Sequence, residues 1–213
     1  MCQRHLSAIF VGLAITIGTS VGLSADDEGV KQVRELIKKA NSSVESITDA
    51  KEQLKKTMDA YNAVLAPDVK DRRDAYKKLQ KEMSNADKKR ADVSSKTAQM
   101  NQEADQLFKS WQGSTAAIQS PDLRQRSDER LKRTQDRFAE IRQTGQRASA
   151  LYGPFMKSLQ DQVTFLGHDL NPGAVATLKP DAEKLNSQAR DLYAAIDQVT
   201  AAANNNITKL SAE

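Results

Sequence analysis

From about residue 29 onward, apolar side chains recur at alternating steps of three and four. The first stripe runs through Val30, Val33, Ile37, Ala40, Val44, Ile47, Leu54, Met58, Tyr61 and Leu65, broken only by Lys51. A second runs through Val69, Tyr76, Leu79, Met83, Ala86, Val93, Met100, Ala104, Leu107 and Trp111, with Arg72, Arg90 and Thr97 as polar members. The third holds Leu131, Phe138, Ile141, Ala148, Tyr152, Phe155, Leu159 and Leu166, interrupted at Thr134, Gly145 and Gln162. The fourth holds Val175, Leu178, Ala182, Leu185, Ala189, Leu192, Ile196, Val199, Ala203 and Leu210, interrupted at Asn206. A mean period of 3.5 residues sustained this long specifies helices that meet along a left-handed seam, and no useful length of period-two alternation suggests a strand.

Breakers separate the stripes: Pro67, the stretch 113–121 and the stretch 167–173. Ser120 before Pro121 and Asn171 before Pro172 read as N-caps followed by first helical residues, and Asp68 is a candidate cap for the second helix. Pro180 is expected to set off a short helical turn, and Pro154 to bend the third helix, because its ring clashes with the carbonyl four residues earlier. The pattern predicts helices at about 29–66, 68–112, 121–166 and 173–211. Short connections make neighbours antiparallel, and four narrow apolar stripes are covered most simply by one another. The expected fold is therefore all-α, an elongated antiparallel coiled-coil or four-helix bundle in one domain, 26–213.

The N-terminus reads differently. Arg4 and His5 precede an apolar run from Leu6 to Gly18, and small residues lead to Ala25 before Asp26, Asp27 and Glu28. This is the layout of a secretory leader, residues 1–25, with cleavage after Ala25; an uncleaved anchor is the competing reading. The run is short for a spanning helix. The single cysteine, Cys2, lies on the wrong side of it for lipid attachment, and the processed chain has no cysteine, which suits an oxidising compartment. The expected location is periplasmic or secreted.

Composition narrows the chemistry. Among 213 residues, 28% are charged and 5% aromatic, with a net charge of +4. Only two histidines, His5 and His168, and no thiol in the processed chain argue against a metal centre or a nucleophile–base pair, and no phosphate-binding glycine loop, GxSxG, HExxH or CxxC occurs in the processed chain. The expectation is a non-enzyme with no cofactor and no metal. Two features remain. The loop containing His168, Asp169 and Asn171 is a candidate tip contact, against the plainer reading that its polar groups cap helix ends. Arg124, Arg126, Arg130, Lys132, Arg133 and Arg137 form a candidate basic surface, and Lys77, Lys78, Lys81, Lys88, Lys89 and Arg90 a second. Anionic lipid, cell-wall polymer or an acidic protein would suit such faces. A solvated face balanced by nearby carboxylates is the stronger reading. Nucleic acid is disfavoured by the leader and by the lack of interleaved aromatics. Trp111 reads as the end of the seam rather than a contact.

Certain residues carry a resemblance. Leu107-Phe108-x-x-Trp111, Leu123-Arg124-x-x-Ser127-x-x-x-Leu131, Pro154-x-x-x-x-Leu159 and the block 161–171 resemble an uncharacterised bacterial family, domain of unknown function 2959, from about Ser43 to Leu210. The resemblance implies an exported helical envelope protein with no established activity. Its members often carry a lipid-attachment cysteine after the leader, which this sequence lacks. Some are labelled DNA-repair ATPases, a label at odds with the missing phosphate loop. The functional expectation is a scaffold or adaptor acting through its surface on an unknown envelope partner, with oligomeric state open. The alternative is a periplasmic holdase chaperone or a module for anionic lipid and envelope surfaces.

Overall fold

A computed structural model describes residues 24–212. The expected leader falls almost wholly on residues 1–23, which lie outside the described residues. The described chain is all-α: α1 (Ser24–Leu65), α2 (Arg72–Ala116), α3 (Pro121–His168), the single turn α4 (Pro172–Thr177) and α5 (Lys179–Ala212). At 1.5 Å per residue the four long helices are roughly 50 to 72 Å in length. They form a ring in which α1 touches α2 and α5, and α3 touches α2 and α5. The α1–α2 pair is the most intimate and α2–α3 the loosest of the four.

The intimacy of α1 and α2 has a cause in sequence. Beside the apolar stripe of α1 lies a second heptad set shifted by one residue: Leu36, Ser43, Ser46, Gln53, Thr57, Ala60 and Val64, all buried. Small side chains here let the backbones approach. Two of the hydroxyls are satisfied locally, Ser46 Oγ donating to the Ser43 carbonyl at 2.8 Å and Thr57 Oγ1 to that of Gln53 at 2.9 Å. Across the pair, Gln53 Nε2 donates to the Glu82 carboxylate at 2.7 Å.

Most polar members of the stripes have partners. Arg72 donates to the Val64 and Ala66 carbonyls at 3.0 and 3.1 Å, closing the C-terminus of α1. Lys51 bridges to Asp197 on α5 at 2.5 Å. Gln162 is buried and its side-chain oxygen accepts from the hydroxyl of Tyr61, itself fully buried. Thr97 pairs with Ser43 at 3.2 Å.

Two expectations are corrected. The N-cap of α2 is Asp71, whose carboxylate accepts from Asp74 N at 3.0 Å, and not Asp68. Residues 66–71 are drawn into the turn, with Arg72 tied to the end of α1. Nor does Gly113 stop α2, which continues to Ala116. One glycine costs a helix about 1 kcal/mol. Here the following turn is held by Thr115, which is buried and 2.6 Å from the Ser127 hydroxyl on α3. Pro154 is exposed within α3, which is helical on both sides of it. Pro180 lies in the first turn of α5, where its missing N–H leaves no intrahelical bond unmade.

The core is not continuous. One apolar cluster joins Leu54–Val64, Leu79–Ala86, Phe155–Leu166 and Val175–Ile196. A smaller one joins Leu36, Ala40, Met100, Ala104, Leu107, Phe138, Ile141 and Ala203 toward the other end. Between them the bundle opens.

Candidate functional site

The loop after α3 is built from caps. His168 is the last residue of α3 and is exposed. The Asp169 N–H donates to the Phe165 carbonyl at 3.3 Å, while its carboxylate accepts from Asn171 N at 2.9 Å and Asn171 Nδ2 at 2.6 Å. Asn171 Oδ1 in turn accepts from Ala174 N at 2.9 Å and caps α4. Asp169 and Asn171 thus hold each other and both helix ends. Gly167 belongs to the same corner: a Cβ there would lie 2.6 Å from the hydroxyl of Tyr76, which donates to the Val163 carbonyl.

The basic run lies on the first half of α3. Residues 121–130 are exposed apart from half-buried Ser127. Arg124 donates to the Ile118 carbonyl at 3.0 and 2.6 Å, closing the α2–α3 turn. Arg126 pairs with Asp122 at 2.9 Å, Lys132 with Asp136 at 3.0 Å, and Arg133 with Glu129 at 4.0 Å. Arg130 lies over the ring of Trp111, 5.5 Å from its centroid, and Trp111 Nε1 donates to Ser127 Oγ at 3.0 Å. Arg137 is half-buried, on the same helix. In the second run, Lys77 meets Asp74 at 3.1 Å and Lys89 meets Asp49 at 2.7 Å. The Lys89 ammonium holds the Asp49 carboxyl below its ordinary range.

Sequence reasoning missed the most distinctive feature, a cleft of about 550 Å³ in the middle of the bundle. All four long helices line it. The contributions of α1 and α5, among them Val44, Ile47, Ile196 and Val199, are at least half-buried and apolar apart from Ser43. Its exposed lining residues are Arg90, Ser94 and Ala98 of α2 with Arg142, Gln146 and Ser149 of α3, so the mouth lies between these two helices. Small side chains keep the space open. No atom lies within 4 Å of a Cβ built on Gly145, which faces the cleft beside Ala148. Only two lining residues carry a formal charge, Arg90 and Arg142, and none is acidic. Arg142 donates to Asn101 and Asp105 and lies 4.9 Å from the Phe138 ring centroid. Arg90 lies 5.7 Å from the centroid of Tyr152. The Tyr152 hydroxyl is buried without a hydrogen-bond partner among the described residues, and burial raises its pKa. A signal was present in sequence: Arg90 and Thr97 interrupt one stripe and Gly145 the next, and antiparallel pairing brings these interruptions to one level.

Residues 24–210 match the family described as Protein of unknown function (DUF2959). The chain belongs to this family. No curated protein and no solved structure matches it. The matched span takes in the long helices, short of the last two residues of α5, with both clusters and the cleft.

Proposed function

We propose that this chain is a non-enzymatic protein of the bacterial envelope, exported by its leader, which serves as a rigid helical scaffold or adaptor. The observation that carries this reading is the first third of α3. Ten successive residues, 121–130, stand in solvent with only Ser127 half-covered, and Leu123 is 54% exposed between charged neighbours. A large apolar side chain displayed in a run of ten largely uncovered residues supports reading that run as a point of contact for a partner. The opposite end, with His168, supplies a second contact point. A holdase or a module for anionic surfaces is less well supported, because Arg126, Lys132 and Arg133 already face carboxylates one helical turn away.

Photo-crosslinking in cells tests the proposal. A photoreactive residue at Leu123 or Gln125 should capture one defined envelope protein, and one at Gln143 on the side of α3 should not. Absence of a specific adduct from Leu123 and Gln125, or fractionation of the chain with the cytosol, overturns it.

A further inference from the structure

We infer that the mid-bundle cleft binds one molecule of a single-chain amphiphile with an anionic headgroup, its acyl chain between the helices and its headgroup at Arg90. This goes beyond the scaffold reading and does not depend on it.

Size comes first. A methylene fills about as much room as a water molecule in the liquid, roughly 30 Å³. The cleft of about 550 Å³ therefore accommodates a chain of roughly 16 to 18 carbons. Along α1 its lining runs from Ala40 to Leu54, about 21 Å at the helical rise. That exceeds the roughly 15 Å allotted to one leaflet's acyl chains in a bilayer core about 30 Å thick. The chemistry of the walls agrees. Valine, isoleucine and alanine from α1 and α5 form an apolar floor, which gains dispersion contacts only when something apolar fills the space. The unfilled stretch separates two well-packed clusters, so the bundle is already closed above and below it.

Charge fixes the headgroup. The mouth holds two arginines and no carboxylate. Arg142 is engaged with Asp105 at 2.7 Å, whereas Arg90, among the described residues, makes only its stacking contact with Tyr152. A carboxylate or phosphate at the mouth can accept a forked pair of N–H bonds from Arg90. The ring of Tyr152 lies under that guanidinium, and its hydroxyl, buried and without an acceptor among the described residues, supplies a further donor. An apolar slot with a few convergent donors at one end is the general form of a small-molecule site.

The test uses the full processed chain titrated with a fluorescent long-chain fatty acid, then displaced by palmitate, 1-palmitoyl-lysophosphatidylglycerol or neutral 1-palmitoylglycerol. The expected result is one site per chain, with displacement by at least one of the two anionic ligands below its micelle concentration; which is stronger identifies free fatty acid or lysophospholipid as the source. Gly145→Leu places a side chain in the open space and should weaken binding at least tenfold while helicity and melting temperature are retained. Ala148→Leu is the second filling variant, should Gly145→Leu fail to fold. Arg90→Gln should weaken the anionic ligands about tenfold and leave the neutral one within about twofold. No binding to folded protein, binding indifferent to a folded filling variant, or equal displacement by neutral and anionic ligands overturns the inference.

Discussion

Single residues in this bundle matter most where a polar group is buried. Tyr61 and Gln162 hydrogen-bond inside the larger cluster, and Gln162 also reaches the Asp181 carbonyl at 3.4 Å. Removing one partner orphans the other. Tyr61→Phe should cost about 1 to 3 kcal/mol in urea unfolding, and the double variant Tyr61→Phe/Gln162→Leu should recover most of that loss. Additive losses would show that the pair is not coupled. Glu82 gives a residue-scale pH effect. Its carboxylate accepts from Gln53, which holds its pKa below the ordinary value of 4.5. A depressed carboxyl contributes stability that is full above the ordinary value and is lost as pH falls through the lowered one. Glu82→Gln keeps an acceptor without a titrating proton. Its melting temperature should therefore fall less than wild type's between about pH 6 and about pH 3.

At the scale of the element, α1 shows why hydrophobicity alone underestimates an interface. Hydropathy marks Ile37, Val44 and Ile47, which are only half-buried, whereas Ser43 and Ser46 are 1% and 2% exposed. Serine side chains occupy little room, Ser46 bonded to its own helix and Ser43 to Thr97 on α2, and let α2 come close. A larger, more apolar residue has no space there. Ser46→Leu should destabilise the bundle by about 1 to 3 kcal/mol through overpacking, although it makes the stripe greasier. Thermal melts followed by circular dichroism decide it, and an unchanged or higher midpoint would mean that the α1–α2 seam is looser than described. In α3 the small residues have the opposite consequence: Gly145 and Ala148 face unfilled space, and there α2 and α3 part.

For the whole molecule, three tyrosines tie stability to alkaline pH. Burial raises the pKa of Tyr61 and Tyr152, and pushes that of Tyr193 up to about 12, with Asp59 and Glu52 adding to the shift at Tyr193. The unfolded chain releases these protons near the ordinary value of 10.0, while the fold retains them. Stability is therefore full below pH 10 and declines as pH rises toward the folded values. The Tyr193 hydroxyl is buried without a partner among the described residues. Tyr193→Phe should be neutral, or stabilising by up to about 1 kcal/mol, at pH 7, and should blunt the alkaline decline in melting temperature. A destabilised variant at pH 7 would show that the hydroxyl has a partner after all.

Period and punctuation alone determined that the described chain is helical, where its long helices run to within a few residues, and, except for the second buried set on α1, which stripe of each turns inward. These properties follow from spacings of three and four along one strand of sequence, where helix geometry is local. Tertiary structure decided the rest. Whether Ser43, Thr57 or Gln162 is buried depends on which helix lies opposite and how close it comes. Whether Arg72 is a flaw in a stripe or a cap on its neighbour depends on the turn between them. Arg90, Thr97 and Gly145 read as separate irregularities until the antiparallel α2–α3 register set them at one height. There, small side chains and one turned-out guanidinium leave four helices with a gap that no single stripe encodes.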